Sequence, residues 1–239
     1  MFWEWFIIIC SSLIIIALFT FLAYKEGKIK GIKKGADDLL ALFLKSGYEL
    51  KVLSFQIQNR HAKKGGIVFV GDSITQDFPI HDFFPDLTVY NRGIGGDTTE
   101  GLKNRLEESI FALEPQKVVL MIGTNDLALL KTTPEKIAQN IHDIVKLIHE
   151  KSPNIRIILE GIYPVNTTLD PFSVSTRNNE DIRKVNQLLK NIPQIDFIDL
   201  DHDFSDSLGN LKKEYTVEGL HINALGYELI VTKLLPFLK

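Results

Sequence analysis

The chain has 239 residues, 45% of them hydrophobic, and a formal charge of −3. That is ample apolar material for one core, and the near-neutral balance gives no global basic signal for nucleic acid. The single cysteine, Cys10, excludes a disulfide within the chain, and there is no zinc-type Cys/His spacing, phosphate-loop motif or nucleotide-binding fingerprint in a convincing context.

From Phe6 to Tyr24 the sequence is uncharged and, as a helix, long enough to cross a hydrocarbon layer of roughly 30 Å. It predicts a single-pass transmembrane anchor over residues 1–24, with Trp3, Trp5 and Tyr24 at the interfaces. A cleavable signal peptide is the competing reading, set back by the missing basic n-region and Ala-x-Ala site. Lys25, Lys28, Lys30, Lys33 and Lys34 follow the segment while Glu4 precedes it, so the charge rule inclines the catalytic domain slightly to the cytoplasmic side and leaves sidedness open. The same lysines suit anionic headgroups, which makes the membrane the expected partner of this end. Residues 25–64 read as a basic juxtamembrane and helical connector. Gly27, Gly31 and Gly35 interrupt its start, and helices are predicted at 37–44 and 48–58, with Leu40, Phe43, Leu50, Leu53 and Ile57 on a face that packs on the following domain.

Residues 65–239 alternate strand and helix. Strands are predicted near 67–70, 88–91, 118–122, 156–160 and 196–199, and helices near 99–112, 134–151, 178–191 and 224–237. Short apolar strands separated by helices imply an α/β domain whose parallel sheet is covered on both faces. Turn motifs follow the strands. Gly71-Asp72-Ser73-Ile74 follows the first, Asn91-Arg92-Gly93-Ile94-Gly95-Gly96-Asp97-Thr98-Thr99 the second, and Gly123-Thr124-Asn125-Asp126 the third. Glu218-Gly219-Leu220-His221 precedes the terminal helix, with Gly226-Tyr227 just beyond. The carboxyl ends of strands are where open α/β sheets place their ligands.

Ser73 and His221 have the chemistry of ester hydrolysis. A serine hydroxyl is a poor nucleophile at neutral pH and needs a base; a neutral histidine takes its proton during attack and returns it to the leaving alcohol. Glu218, three residues before His221, is placed to accept from the other ring nitrogen if Gly219-Leu220 forms a tight turn. The alternative is a dyad, with His221 oriented by a backbone carbonyl. Each motif also has a plain reading. Gly-Asp-Ser is a common turn or cap, Gly93 to Gly96 can be a loop before a helix capped by Asp97 or Thr98, and His221 can be a loop histidine. Their joint occurrence at strand ends favours a site.

The four motifs in this order resemble the GDSL esterases, also called SGNH hydrolases, over roughly residues 65–239. The Gly-Ile-Gly-Gly-Asp-Thr-Thr string is most similar to the catalytic subunits of the platelet-activating-factor acetylhydrolase Ib branch and its bacterial relatives. The resemblance implies a flavodoxin-like three-layer α/β/α sandwich with a five-stranded parallel sheet. It also implies a Ser/Gly/Asn/His set formed by Ser73, Gly96, Asn125 and His221, and neither metal nor organic cofactor. The backbone N–H groups of Ser73 and Gly96 and the Asn125 amide are then the donors for the oxyanion. Glu218 departs from the family, whose usual residue there is Asp; the extra methylene requires either a loop set further back or a carboxylate folded over to meet His221.

Other polar residues receive lesser readings. Asp72 and Asp126 are expected to accept backbone N–H bonds in turns. Asp199, Asp201, His202 and Asp203 read as a solvated loop before a metal site. Asn166-Thr167-Thr168 formally matches a glycosylation acceptor. The irregular segment Tyr163 to Arg177 is placed to flank the pocket. The function expected is an anchored serine esterase acting through an acyl-serine on a lipid or short-acyl ester. A carbohydrate O-acetylesterase and a catalytically silent glycan- or lipid-binding module are the alternatives, and oligomeric state is not readable.

Overall fold

The computed structural model describes the backbone of residues 2–239 and the side chains of residue 21 and residues 24–239. The chain divides into two compact units, Met1–Ser46 and Gly47–Lys239. A single helix, α1 (Phe2–Asn59), replaces the two expected helical pieces. Gly27, Gly31 and Gly35 lie inside it, and a Cβ at any of them would meet nothing within 4 Å. An interior glycine weakens a helix by about 1 kcal/mol relative to alanine but does not by itself stop one.

The expected anchor, Phe6 to Tyr24, falls almost wholly outside the residues whose side chains are described. Among the described residues no helix is long and apolar enough to cross a membrane. Lys25, Glu26, Lys28, Lys30, Lys33, Lys34, Asp37 and Asp38 crowd the first described stretch, and Lys45, Glu49 and Lys51 interrupt the leucine-rich one after it. One such charge at a bilayer centre costs about 2.5–3.5 kcal/mol. The single-pass anchor, the membrane partnership and the sidedness drawn from it are therefore not supported.

The second unit holds five strands: β1 (Ile67–Gly71), β2 (Val89–Gly93), β3 (Lys117–Met121), β4 (Arg156–Glu160) and β5 (Asp196–Ile198). All pair in parallel, in the order β2-β1-β3-β4-β5. This is the flavodoxin-like order, in which the chain leaves β1 in one direction and later crosses back past it. The strands are apolar and β-branched because both faces are covered. Val68, Val70, Val118, Leu120, Ile157 and Leu159 face one core. Ile67, Phe69, Val119, Met121 and Ile158 face the other.

The helices follow in chain order: α2 (Ser73–Gln76), α3 (Ile80–Phe83), α4 (Thr99–Lys103), α5 (Leu106–Ser109), α6 (Pro134–Lys151), α7 (Pro171–Val174), α8 (Asn179–Leu189), α9 (Asp201–Phe204) and α10 (Ala224–Leu238). Pro134 starts α6 behind Thr133, whose side chain accepts from the Lys136 N–H, so the predicted start holds. The helix expected over 99–112 is instead broken at Arg105, which leaves helical geometry at φ −122° and turns its guanidinium into the core. Gly226, unusual so near a helix start, is explained by contact: a Cβ there would lie 2.4 Å from Ile222 Cγ2.

Within this second unit the end of α1 packs by a face other than the one expected. Leu50, Leu53 and Ile57 are exposed, while Phe55 is buried. The Tyr48 hydroxyl donates to Gly101 O at 2.9 Å, Asn59 Nδ2 donates to Glu108 O at 2.7 Å, and the Arg92 guanidinium lies over the Phe55 ring at 4.8 Å. Buried Arg92 requires partners, and Asn59 Oδ1 at 2.9 Å with the Phe55 ring supplies two that a leucine face cannot.

Candidate active site

The turns after β1, β2 and β3 meet at one edge of the sheet, and tight backbone packing explains their glycines. A Cβ at Gly71 would lie 2.1 Å from Met121 O, and one at Gly93 would lie 2.1 Å from Gln76 N. Asp72 caps α2, its Oδ1 accepting from Ile74 N–H at 3.0 Å. The turn therefore delivers Ser73 at the first position of α2. On the far side, Tyr227 stacks on Phe78 at 4.8 Å and donates its hydroxyl to Ile74 O at 2.8 Å, tying α10 to the serine turn.

That tie brings in the histidine loop. Ser73 Oγ lies 3.0 Å from His221 Nε2, and His221 Nδ1 lies 2.7 Å from Glu218 Oε1. A carboxylate beside Nδ1 fixes the proton there and leaves Nε2 to accept from the serine hydroxyl. The Glu218 carboxylate folds back over its own turn, accepting from the N–H of His221 at 2.7 Å and of Leu220 at 3.0 Å. The extra methylene is thus taken up by the folded-over geometry. Gly219 makes the turn possible at φ +96°, where a Cβ would also lie 2.2 Å from Asn166 O. The Thr216 hydroxyl donates to His221 O at 2.7 Å and accepts from Gly219 N–H at 3.0 Å, closing the loop.

Gly96 and Asn125 reach the same edge. Gly96 adopts φ +75°, and a Cβ on its neighbour Gly95 would come within 4.0 Å of Ser73 Cβ. Thr98, one of the two expected caps, starts α4 by accepting from Gly101 N–H at 3.2 Å. Asp97 does something else: it forms a buried ion pair with Arg105 at 2.8 Å. Burial raises the Asp97 carboxyl, and the Arg105 guanidinium pulls it back down. Arg105 also donates to Arg92 O, Ser109 Oγ and Gly71 O, so one guanidinium fastens the ends of β1 and β2 together.

Asn125 is buried and held at both ends of its amide. Nδ2 donates to Asp97 O at 2.9 Å, and Oδ1 accepts from Arg177 Nη2 at 2.7 Å. One amide proton remains for a ligand. Asp126 accepts from the Thr99 N–H and hydroxyl, as expected of a turn carboxylate, and burial raises it. Asp72 also accepts its backbone bond, but its Oδ2 has no partner among the described residues, and burial pushes the group up to about 7. Glu160, with the Tyr163 hydroxyl donating to it at 2.8 Å, is likewise pushed up to about 7 by burial.

Sequence reasoning missed Arg105 and Arg177. Arg105 is fully buried, and the only signal was an arginine on the inward side of an amphipathic segment. Arg177 ends the irregular segment after β4, and nothing in its spacing marked it. Two lesser motifs take up structural places. Asn166 is buried with Nδ2 bonded to Leu211 O at 2.8 Å, so it offers no accessible acceptor for a glycan. Asp199, Asp201 and Asp203 pair with Lys190, Arg183 and Lys233. Among the described residues no group of three or more His, Cys, Asp or Glu is placed to hold a metal.

The fold and this edge define the class of hydrolases acting on esters. The chain belongs to the GDSL-like lipase/acylhydrolase family, whose model matches residues 69–229, so the resemblance read from the four motifs is borne out. It is 31% identical over 176 residues to the bovine platelet-activating factor acetylhydrolase IB subunit alpha1, covering 69% of this chain and 71% of that one. Among solved structures it is similar to a Streptococcus pneumonia protein described as a candidate platelet activating factor, with a TM-score of 0.79 at 30% identity over 85% of this chain and 98% of that one. It also resembles the lipase/acylhydrolase from Enterococcus faecalis, with a TM-score of 0.61 at 25% identity over 74% of this chain and 98% of that one.

Proposed function

We propose that the chain hydrolyses carboxylic esters with Ser73 as nucleophile, and that its substrates carry a short acyl group such as acetyl on a lipid or other small alcohol. The observation that carries the mechanism is the continuous relay from Ser73 Oγ through His221 to Glu218, at 3.0 and 2.7 Å. Ser73 attacks the ester carbonyl while His221 Nε2 takes its proton. Negative charge collects on the former carbonyl oxygen, facing the N–H groups of Ser73 and Gly96 and the free amide proton of Asn125. Collapse of the intermediate expels the alcohol, protonated by His221, and leaves an acyl-serine. Water, deprotonated by the same histidine, then releases the acid. Glu218 holds the tautomer and stabilises the imidazolium.

The short-acyl assignment draws support from the acetylhydrolase relatives, which are 30–32% identical to this chain. The test is turnover of p-nitrophenyl esters from acetate to palmitate by the full chain and by Ser73→Ala, together with fluorophosphonate labelling. The expected result is rapid acetate hydrolysis and labelling, both lost by a factor of about 10⁴ or more in the variant, as in other serine hydrolases. Labelling or turnover that survives Ser73→Ala removes the serine mechanism, and a preference for palmitate removes the short-acyl substrate.

A further inference from the structure

The oxyanion reading above places a strict demand on Asn125, whose one free amide proton must meet the developing charge without the side chain rotating away. An asparagine amide in a turn has a broad, roughly two-fold torsion about its last bond, so something must fix it. Two partners do. The Asp97 carbonyl takes one proton of Nδ2, and Arg177 occupies Oδ1.

The Arg177 guanidinium divides its donors along the same turn. Nε donates to Thr124 O at 3.0 Å and to Thr124 Oγ1 at 3.1 Å, while Nη2 reaches Asn125 Oδ1 at 2.7 Å. Nη1 is satisfied by Val174 O at 3.0 Å. The fork therefore grips both the backbone before Asn125 and its side-chain oxygen, from a loop in a different part of the sequence. The contact at 2.7 Å is charge-assisted, a class roughly twice as strong as a neutral hydrogen bond. Electron density drawn toward Oδ1 by a cation leaves the amide N–H more positive, and hydrogen bonds in series strengthen one another by roughly 10–30% each. Arg177 also lies within electrostatic reach of Glu218 and Asp72, which places its positive charge close to the reacting end of the site.

Resting on the proposed oxyanion role of Asn125, we infer that Arg177 is a positioning residue for ester hydrolysis, which orients and polarises the Asn125 amide so that its free proton meets the oxyanion. It does not touch the substrate. Its action passes through Asn125, and this separates it from a residue that merely supports the loop. A support contributes the same amount whether or not Asn125 is present; a polarising partner contributes nothing once the amide is gone.

A double-mutant cycle on the full chain reads that difference. Arg177→Met, Asn125→Ala and the pair are compared by kcat and KM on p-nitrophenyl acetate, with thermal melts to confirm folding. Arg177→Met is expected to lower kcat by about 10–100-fold with KM within about threefold, below the roughly 10²–10³-fold of losing an oxyanion donor outright. In the Asn125→Ala background the same change is expected to lower kcat by no more than about threefold, in line with the non-additivity of groups acting as one unit. Should Arg177→Met fail to fold, Arg177→Lys, which keeps the charge but loses the fork, carries the same cycle with a smaller expected loss. Equal losses in both backgrounds, or a change in KM alone, overturn the positioning role and leave the oxyanion reading intact. Normal turnover by Asn125→Ala itself removes that reading and this inference with it.

Discussion

The two halves of the candidate site are built in opposite ways. The Ser73–His221–Glu218 half is wet: the side chains of His221 and Glu218 are 43% and 26% exposed, and the loop that holds them is closed by its own short hydrogen bonds. The half formed by Gly96, Asp97, Arg105, Asn125 and Arg177 is mostly dry, its two arginines, Asp97 and Asn125 all buried and their charges paired or hydrogen-bonded. On the mechanism proposed above, a proton travels across the first half, so its groups need room to exchange partners. In the second half each polar side chain is fixed by buried partners. Donors aimed at a developing charge are useful because they need no reorganisation when the charge appears, and buried ionic networks hold them there.

Three changes break or sharpen this contrast, beginning with the largest. Glu218→Gln keeps the shape of the wet half but presents an amide to His221, inviting the wrong tautomer. Its kcat is expected to fall by about 10²–10⁴-fold, with the Tm unchanged, because the site is half exposed and the fold does not depend on it. A rate within about threefold of the native protein would show that His221 works without the carboxylate.

Arg105→Met should have the reverse signature. Removing one partner of a buried ion pair costs about 3–5 kcal/mol, which for a chain of this size corresponds to a fall in Tm on the order of 10 °C. Asp97 is left buried and unpaired, and Gly71 O loses a donor. A melt unchanged to within about 2 °C would mean that the dry half is held by packing and not by charge.

The smallest effect concerns the buried acid next to Ser73. Folded Asp72 holds its proton up to about pH 7, whereas an unfolded aspartate releases it at about 3.9. Between those values the folded state binds more protons, so stability from this group is fully present below the lower value and is lost as pH rises through the upper one. Asp72→Asn is expected to make the fall in Tm between about pH 4 and 7 shallower, measured by calorimetry across that range. Glu160, raised in the same direction, adds to the slope. Identical slopes for variant and native protein contradict the buried, protonated state of Asp72.

Much of the sheet was legible because each strand is a short apolar run ended by glycine or a polar turn, and such a run has few other places to go. The approach of Ser73, Gly96 and Asn125 to one edge follows from parallel strands alone, since every crossover returns the chain to the same end; His221, well beyond the last strand, is brought there by the Tyr227 tie to the serine turn. The arginines were not legible. A cation deep in a core is defined by acceptors that come from distant segments, and Arg177 finds its acceptors 52 and 53 positions back along the chain. The break at Arg105 has the same origin: local helix propensity predicts continuity through 99–112, and the tertiary pull on one guanidinium overrides it. The long α1 failed for the converse reason. Its glycines read as punctuation, yet they lie in open surroundings where no competing contact acts on them.

Ser73 and His221 lie 148 positions apart. During vectorial synthesis, the segments carrying Ser73, Gly96, Asn125 and Arg177 have all been made before the histidine loop is decoded. On the mechanism proposed here, a nascent chain in that interval already carries its serine and the residues of its anion-stabilising cradle, but that hydroxyl has no base. Hydrolytic competence therefore arrives in one late event, when Tyr227 seats against Phe78 and draws the final loop over the serine. An unfinished polypeptide is chemically silent by construction.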